Sequence, residues 1–298
     1  MSVPAAYLGV IIIWTTTPLA IKWSGEGSHF LFALTARMAI AAVLSLILLR
    51  ATGASFPWHR KARANYFAVG FSLYGVMTLV YWGAQYIPSG LISLIFGLAP
   101  IATALLATLL LGENNLTPVK LFSMAMGLGG LMMVFSDSAL GGRQTSLGIA
   151  AVVAAMLLHC ISAVWIKQID ADIPALASTA GGVIVATFLL QSTWIALDVR
   201  MPGQISSKAI GSIIYLGLAG SVLGFSLYYY LLKHSEATKV ALITLITPVS
   251  SLLLGNWLNA EALSASVITG ASIILSGLVL FQFGEGWLRW AKKVAINT

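Results

Sequence analysis

A stripe of aromatic and hydroxyl side chains runs through one apolar segment of the chain, between residues 66 and 86. Its members recur at spacings of three and four, which places them on one helix face: Phe71, Tyr74, Thr78, Tyr81, Trp82 and Gln85. Aromatic faces attract an ammonium group by about 0.5 to 2 kcal/mol each and hold another ring by offset stacking. We therefore expect Tyr74, Thr78 and Tyr81 to line a cavity for a small solute. Helix packing is the alternative, and Trp82, near a helix end, fits an interfacial aromatic belt better.

Three further apolar segments carry polar or aromatic side chains that we expect to share this cavity. They are Trp14 and Thr17 in the first, His159, Ser162 and Trp165 in the second, and Phe225, Ser226 and Tyr229 in the third. A polar group inside a membrane needs a partner or a wet cavity. His159 is interpreted as a substrate contact or a proton relay, with a satisfied packing histidine as the alternative.

Two prolines fall near the middle of apolar segments, Pro100 and Pro248. Each removes a helical hydrogen bond and frees the carbonyl four residues earlier, on Phe96 and Thr244. A freed carbonyl at the membrane midplane can bind an ammonium group or permit a hinge. A simple helix kink without either role is the alternative.

Charged residues gather at the ends of the apolar segments. We expect Lys22, Lys167, Glu113 and Glu261 to cap helices or pair with each other as structural or gating groups, and Arg37, about two turns inside its segment, to act in the same way. No Asp or Glu falls in the central half of a segment, where a proton-coupled antiporter usually carries a carboxylate. We therefore favour facilitated or exchange-like transport.

The same distribution predicts the charge of the solute and excludes several activities. A phosphate dianion would need Arg or Lys in the cavity, so a small neutral or zwitterionic solute fits better. Only one of the four histidines lies deep in a segment, so neither a metal site nor an acid pair for catalysis can be assembled there. Phosphate-binding glycine loops are missing as well. We expect no enzyme activity, no cofactor and no nucleic-acid partner.

The elements that must position these residues are membrane-spanning helices. Only 8% of the 298 residues are charged, 59% are hydrophobic, and the mean hydropathy is +0.93, which a soluble domain could not hide from water. About 20 residues suffice for one span, and the apolar runs give ten spans: 5–23, 30–50, 66–86, 88–111, 118–136, 147–168, 175–197, 209–232, 238–258 and 265–284. One long bent helix is the alternative to the third and fourth spans.

Basic residues divide unevenly between the two ends of these spans. Eleven fall at one end and five at the other, and the richer end faces the cytoplasm. The sequence therefore predicts that both termini are cytoplasmic in a bacterial inner-membrane protein. Residues 285–298, with two tryptophans and two lysines, are interpreted as a tail at the cytoplasmic interface. A cleaved signal peptide is not expected.

The chain repeats itself. A shift of 148 residues places Pro100 on Pro248 and Glu113 on Glu261. We therefore divide the chain into two five-helix repeats, 1–137 and 146–284, and five spans each give them opposite orientations. Inverted repeats can open to either side of a membrane by rocking, which is the basis of alternating access. A duplicated scaffold without transport is the alternative.

These features resemble the drug/metabolite transporter superfamily. The resemblance rests on Trp14, Pro18 and Lys22 in the first span, on Arg37 in the second, and on the two proline-to-glutamate pairs. The ten-helix EamA-type exporters match best. The resemblance implies a carrier that exports amino acids, aromatic ones foremost, or other metabolites or drugs, through a cavity lined by the first, third, fourth, sixth, eighth and ninth helices. A channel or sensor and any oligomeric state, including a monomer, stay open.

Overall fold

The structure is a computed structural model that describes residues 2–112, 116–136, 142–199, 201–235 and 237–296. Within these ranges all regular structure is helical. The helices are α1 (Val3–Ser24), α2 (Phe30–Thr52), α3 (Arg60–Gly83), α4 (Ser89–Gly97), α5 (Ala99–Leu111), α6 (Pro118–Phe135), α7 (Arg143–Ile169), α8 (Ala175–Ala196), α9 (Ser207–Tyr215), a π-helical segment (Leu216–Leu223), α10 (Gly224–His234), α11 (Ala237–Asn259) and α12 (Ala265–Ile296).

Ten stretches of helix are long and apolar enough to cross a membrane, which confirms the predicted number. The fourth stretch consists of α4 and α5, and the eighth joins α9, the π-helical segment and α10. A turn over residues 84–88 separates α3 from α4, so the alternative of one long bent helix is wrong. Proline assists here, because Pro88 directly precedes α4 and a proline at a helix start sacrifices no helical hydrogen bond.

The two mid-membrane prolines act differently on their helices. Next to Pro100 the helix breaks at Leu98, which ends α4 and precedes α5. Pro248, in contrast, lies inside α11, which continues to Asn259. α12 also continues without a break to Ile296, so the predicted interfacial tail is an extension of the last helix over residues 285–296.

Small residues set the distance between several helices. α6 packs along α12, and a side-chain carbon on Gly130 would lie 2.6 Å from the carbonyl oxygen of Gly270. Such close approach is the usual role of glycine between membrane helices. α3 packs against α7 and α8, while the span of α9 and α10 packs against α1 and α2. α2 also contacts α8, and α4 contacts α11.

Polar contacts at the bundle ends agree with spans that alternate in direction. Lys208, at the start of α9, pairs with Glu26 after α1 at 2.7 Å. At the opposite end, Lys61 at the start of α3 donates to the carbonyl of Asp170 after α7 at 3.3 Å. Large apolar side chains are exposed around the outside, among them Phe188, Ile195 and Trp257, as a lipid-facing surface requires.

Candidate substrate cavity

Arg37 lies buried among neutral groups where α2 meets α3 and the π-helical segment. Its Nε donates to Ser221 Oγ at 3.1 Å, and its Nη1 lies 3.5 Å from the Tyr81 hydroxyl and 3.9 Å from the Met77 sulfur. The guanidinium is also 6.0 Å from the centre of the Tyr81 ring. Tyr81, one of the predicted cavity residues, is itself buried and contacts Arg37 directly.

The π-helical segment positions Ser221. Its hydroxyl donates to the carbonyl of Leu216, five residues earlier, at 2.9 Å, which follows the wider π-helical turn. The same oxygen accepts the hydrogen bond from Arg37. π-helical turns occur often at functional sites, and this one brings a hydroxyl to the buried Arg37.

Aromatic pairs lie on two other walls. Trp14 in α1 packs on Tyr228 in α10, with ring centroids 4.9 Å apart. Phe96 in α4 faces His159 in α7, with centroids 6.1 Å apart. These four residues come from the first, fourth, sixth and eighth spans, which are among the helices that the family resemblance assigns to the cavity.

Other residues of the α3 stripe make contacts away from Arg37. The Tyr74 hydroxyl and Thr193 Oγ1 of α8 lie 2.9 Å apart in a hydrogen bond, so Tyr74 joins two helices. Thr78 donates to the carbonyl of Tyr74 at 2.6 Å. Phe71 is exposed. The structure thus separates this stripe, with Tyr81 at Arg37 and Tyr74 at α8.

Other predicted residues occupy separate positions. The hydroxyls of Thr17 and Ser226 donate to carbonyls four residues earlier. Ser162 is buried without a hydrogen-bond partner. Trp165 is 50% exposed and lies at a spacing of four from the exposed Ile161, so it does not join His159 and Phe96.

Both prolines lie close to the contact between α4 and α11. A side-chain carbon on Gly97 would lie 3.3 Å from Pro248 Cγ, so Pro248 borders the helix break beside Pro100. Thr244 is half-buried in α11, and Lys167 is exposed at the end of α7. Glu113 and the side chains of Phe225 and Tyr229 lie outside the described parts of the chain.

A polar cluster lies at one end of the bundle, which we call the Glu261 end. Glu261 Oε2 accepts hydrogen bonds from the Ser89 amide at 2.8 Å and the Ser89 hydroxyl at 2.9 Å. Glu261 Oε1 accepts from Asn259 at 2.9 Å and lies 3.6 Å from Lys22 Nζ. Lys22 Nζ also donates to the carbonyl of Ile87 at 2.8 Å. The cluster therefore ties α1, the start of α4 and the end of α11 together.

A chain of hydroxyl groups continues inward from this cluster. Ser93 Oγ in α4 donates to Ser251 Oγ in α11 at 2.9 Å, and Ser251 donates to the carbonyl of Thr15 in α1 at 2.8 Å. Sequence reasoning singled out none of these three residues, nor Ser89 and Met77. Serines on apolar segments look alike in a sequence, and only the packing of distant segments shows which of them meet.

The sequence matches the EamA-like transporter family over residues 3–136 and again over residues 146–283. The chain belongs to the EamA-like transporter family. Both matched stretches contain five of the ten spans. The protein is accordingly a multi-pass membrane protein from a family of transporters rather than enzymes.

Several relatives of this EamA-like chain carry descriptions as transporters. It is 27% identical to an "Uncharacterized transporter" of Archaeoglobus fulgidus over 91% of this chain and 95% of that protein. It is 27% identical to a "Probable amino-acid metabolite efflux pump" of Escherichia coli over 71% and 72% of the two chains. A "Probable terminal-alkyne amino-acid exporter" of Streptantibioticus cattleyicolor is 26% identical over 91% and 90%.

A crystal structure shares the fold of this EamA-like protein. The two superpose with a TM-score of 0.66 at 19% sequence identity, over 95% of this chain and 98% of the other. At this identity the likeness shows the architecture of the helices alone.

Proposed function

We propose that the protein is a secondary transporter that exports small zwitterionic metabolites, aromatic amino acids foremost, across the inner membrane by alternating access. The observation that carries this proposal is the chemistry between the spans: aromatic pairs, hydroxyl groups and one buried arginine. All nine acidic residues lie at or beyond the ends of spans in the sequence. Such walls suit a solute with an apolar side chain and no net charge.

Two inverted five-helix repeats supply the mechanism. The family matches the chain twice, and the packing of the helices follows the same division. The third span packs against the sixth and seventh, and the eighth packs against the first and second. This pairing supports an approximate two-fold axis in the membrane plane, which permits two alternative openings of nearly equal energy.

We infer that the carrier is closed at the Glu261 end. There α4 packs along α11, and the Glu261 cluster joins them to α1. Beyond the break at Leu98, α7 is the main neighbour of α5 among the described residues. The excess of basic residues at the opposite end supports a cytoplasmic location for that end. The resulting proposal is a state open to the cytoplasm, ready to load a solute for export.

Counterflow in proteoliposomes tests this function. Vesicles loaded with unlabelled L-phenylalanine or L-tryptophan are expected to take up the labelled amino acid faster than empty vesicles. A carrier shows this trans-stimulation because the loaded cavity changes sides faster than the empty one. Uptake without trans-stimulation would indicate a channel, and a panel of amino acids that neither moves nor competes would contradict the substrate class.

A further inference from the structure

Arg37 is a buried cation without an anionic partner. It begins about 10 Å inside its span, seven residues after the start of α2 at 1.5 Å per residue, and it is 3% exposed. Among the described residues, its hydrogen-bond partners are a serine, a tyrosine and a methionine. In the described parts of the chain, carboxylates form ion pairs with Lys22, Lys120 and Lys208 instead. A guanidinium in such a place is costly unless an anion joins it.

One nitrogen of Arg37 remains for such an anion. Nε and Nη1 are engaged, whereas Nη2 donates to no described residue. A side-chain carbon on Gly220 would lie 3.6 Å from Nη2 and 3.5 Å from the Thr17 hydroxyl. The same carbon would lie 3.3 Å from Leu216 Cδ2, so the glycine lets Arg37 and Thr17 approach the π-helical segment closely.

A second free donor lies one helical turn away. A side-chain carbon on Gly224 would lie 3.4 Å from the indole Nε1 of Trp14, and this N–H also has no hydrogen-bond acceptor among the described residues. Four residues separate Gly220 from Gly224, which is about 6 Å along the helix. The Trp14 and Tyr228 rings form the wall beside the second position.

We propose that the Nη2 of Arg37 binds the carboxylate of the transported solute, with the rest of the solute toward Trp14 and Tyr228. This inference rests on the proposed function and names its substrate class as monocarboxylates with an apolar or aromatic body. One cation matches one carboxylate, and an arginine holds it with directed, charge-assisted hydrogen bonds. Arg37 is thereby a substrate-binding residue and not the gating group that its position near a span end suggested.

The ammonium group of an amino acid would bind to the same two aromatic rings. The faces of Trp14 and Tyr228 attract a cation, and the absence of acidic residues from the middle of all ten spans leaves no stronger site for it. The carboxylate and the side chain therefore decide recognition. An amide in place of the carboxylate should remove most of the affinity.

Competition binding to purified protein tests the inference, with L-phenylalanine and L-phenylalaninamide as probes. The unaltered protein is expected to bind the acid about 10- to 100-fold more tightly than the amide. Arg37→Gln should abolish this preference by weakening the acid alone, and Arg37→Lys should retain part of it. Lys208→Gln, which removes an exposed cation, should leave the preference intact.

The outcomes separate the inference from the function on which it rests. Equal affinity for acid and amide in the unaltered protein, or an equal loss of both in Arg37→Gln, would overturn the role of Arg37 while leaving amino-acid transport in place. If Arg37→Gln does not fold, the partial preference expected of Arg37→Lys decides the matter. Binding of neither probe, nor of L-tryptophan, would contradict the proposed substrate class and the inference together.

Discussion

The carboxylate of Glu261 caps a helix that lies 172 residues away in the sequence: its Oε2 accepts the amide of Ser89, the first residue of α4, at 2.8 Å. Pro88 precedes α4 and provides no side-chain cap. A negative charge at this position also interacts favourably with the helix dipole. One buried side chain thus connects the ends of two helices that would separate in the proposed alternating-access cycle.

Replacement of Glu261 should therefore weaken the closed state. Glu261→Ala leaves the amide and hydroxyl of Ser89 and the side chain of Asn259 without an acceptor, and we expect a loss of about 1 to 3 kcal/mol in unfolding free energy. Glu261→Gln retains an acceptor oxygen and should lose less. Denaturation in detergent measures both. Equal stability of Glu261→Ala and the unaltered protein would contradict a structural role for the cap.

Gly255 provides the space for this cap. A side-chain carbon there would collide with Glu261 Oε2 and lie 2.8 Å from Ser89 Oγ. We expect Gly255→Ala to cost about 1 to 3 kcal/mol through overpacking. Gly129→Ala is the matched control, since no atom lies within 4 Å of its added carbon and alanine favours the helix by about 0.5 to 1 kcal/mol. Thermal unfolding of the two variants compares them directly.

Opening of the Glu261 end should expose Ser93, which lies below the cap and hydrogen-bonds to Ser251. The variant Ser93→Cys, made in a Cys160→Ser background, is expected to react slowly with a charged thiol reagent. Adding Glu261→Ala should accelerate the reaction several-fold, and only when the reagent is applied to the periplasmic side. Acceleration from the cytoplasmic side instead would reverse the proposed orientation, and no acceleration would contradict a gating role for the cluster.

Transport should not depend on an imposed proton gradient. The nine acidic residues lie at or beyond the ends of spans, so an embedded carboxylate for proton exchange is missing from the sequence. Efflux of labelled L-phenylalanine from proteoliposomes, with and without a pH gradient, measures the dependence. A gradient-driven flux that disappears in His159→Asn would assign the proton site to His159. A wild-type rate in His159→Ala would remove His159 from the cavity altogether.

The sequence was sufficient to predict the ten spans, because long apolar runs bounded by charge and proline have few other solutions in a membrane. It also identified Arg37 and Glu261 as unusual. Their partners could not be predicted, since Ser221 and Ser89 meet them only through contacts between segments far apart in the chain. The π-helical segment could not be predicted either, because its hydrophobic pattern does not distinguish it from an α-helix. Tyr74 illustrates the same limit, because its stripe did not show that Thr193 would be its partner.

Pro100 and Pro248 occupy equivalent positions in the two halves, yet one adjoins a broken helix and the other lies in a continuous one. If the halves are inverted copies, as we propose, the opposite-facing state arises when each half adopts the shape that the other has now. α11 would then divide beside Pro248, and α4 and α5 would merge into a single rod. The present shape of each repeat therefore predicts the shape of the other repeat in the opposite-facing state.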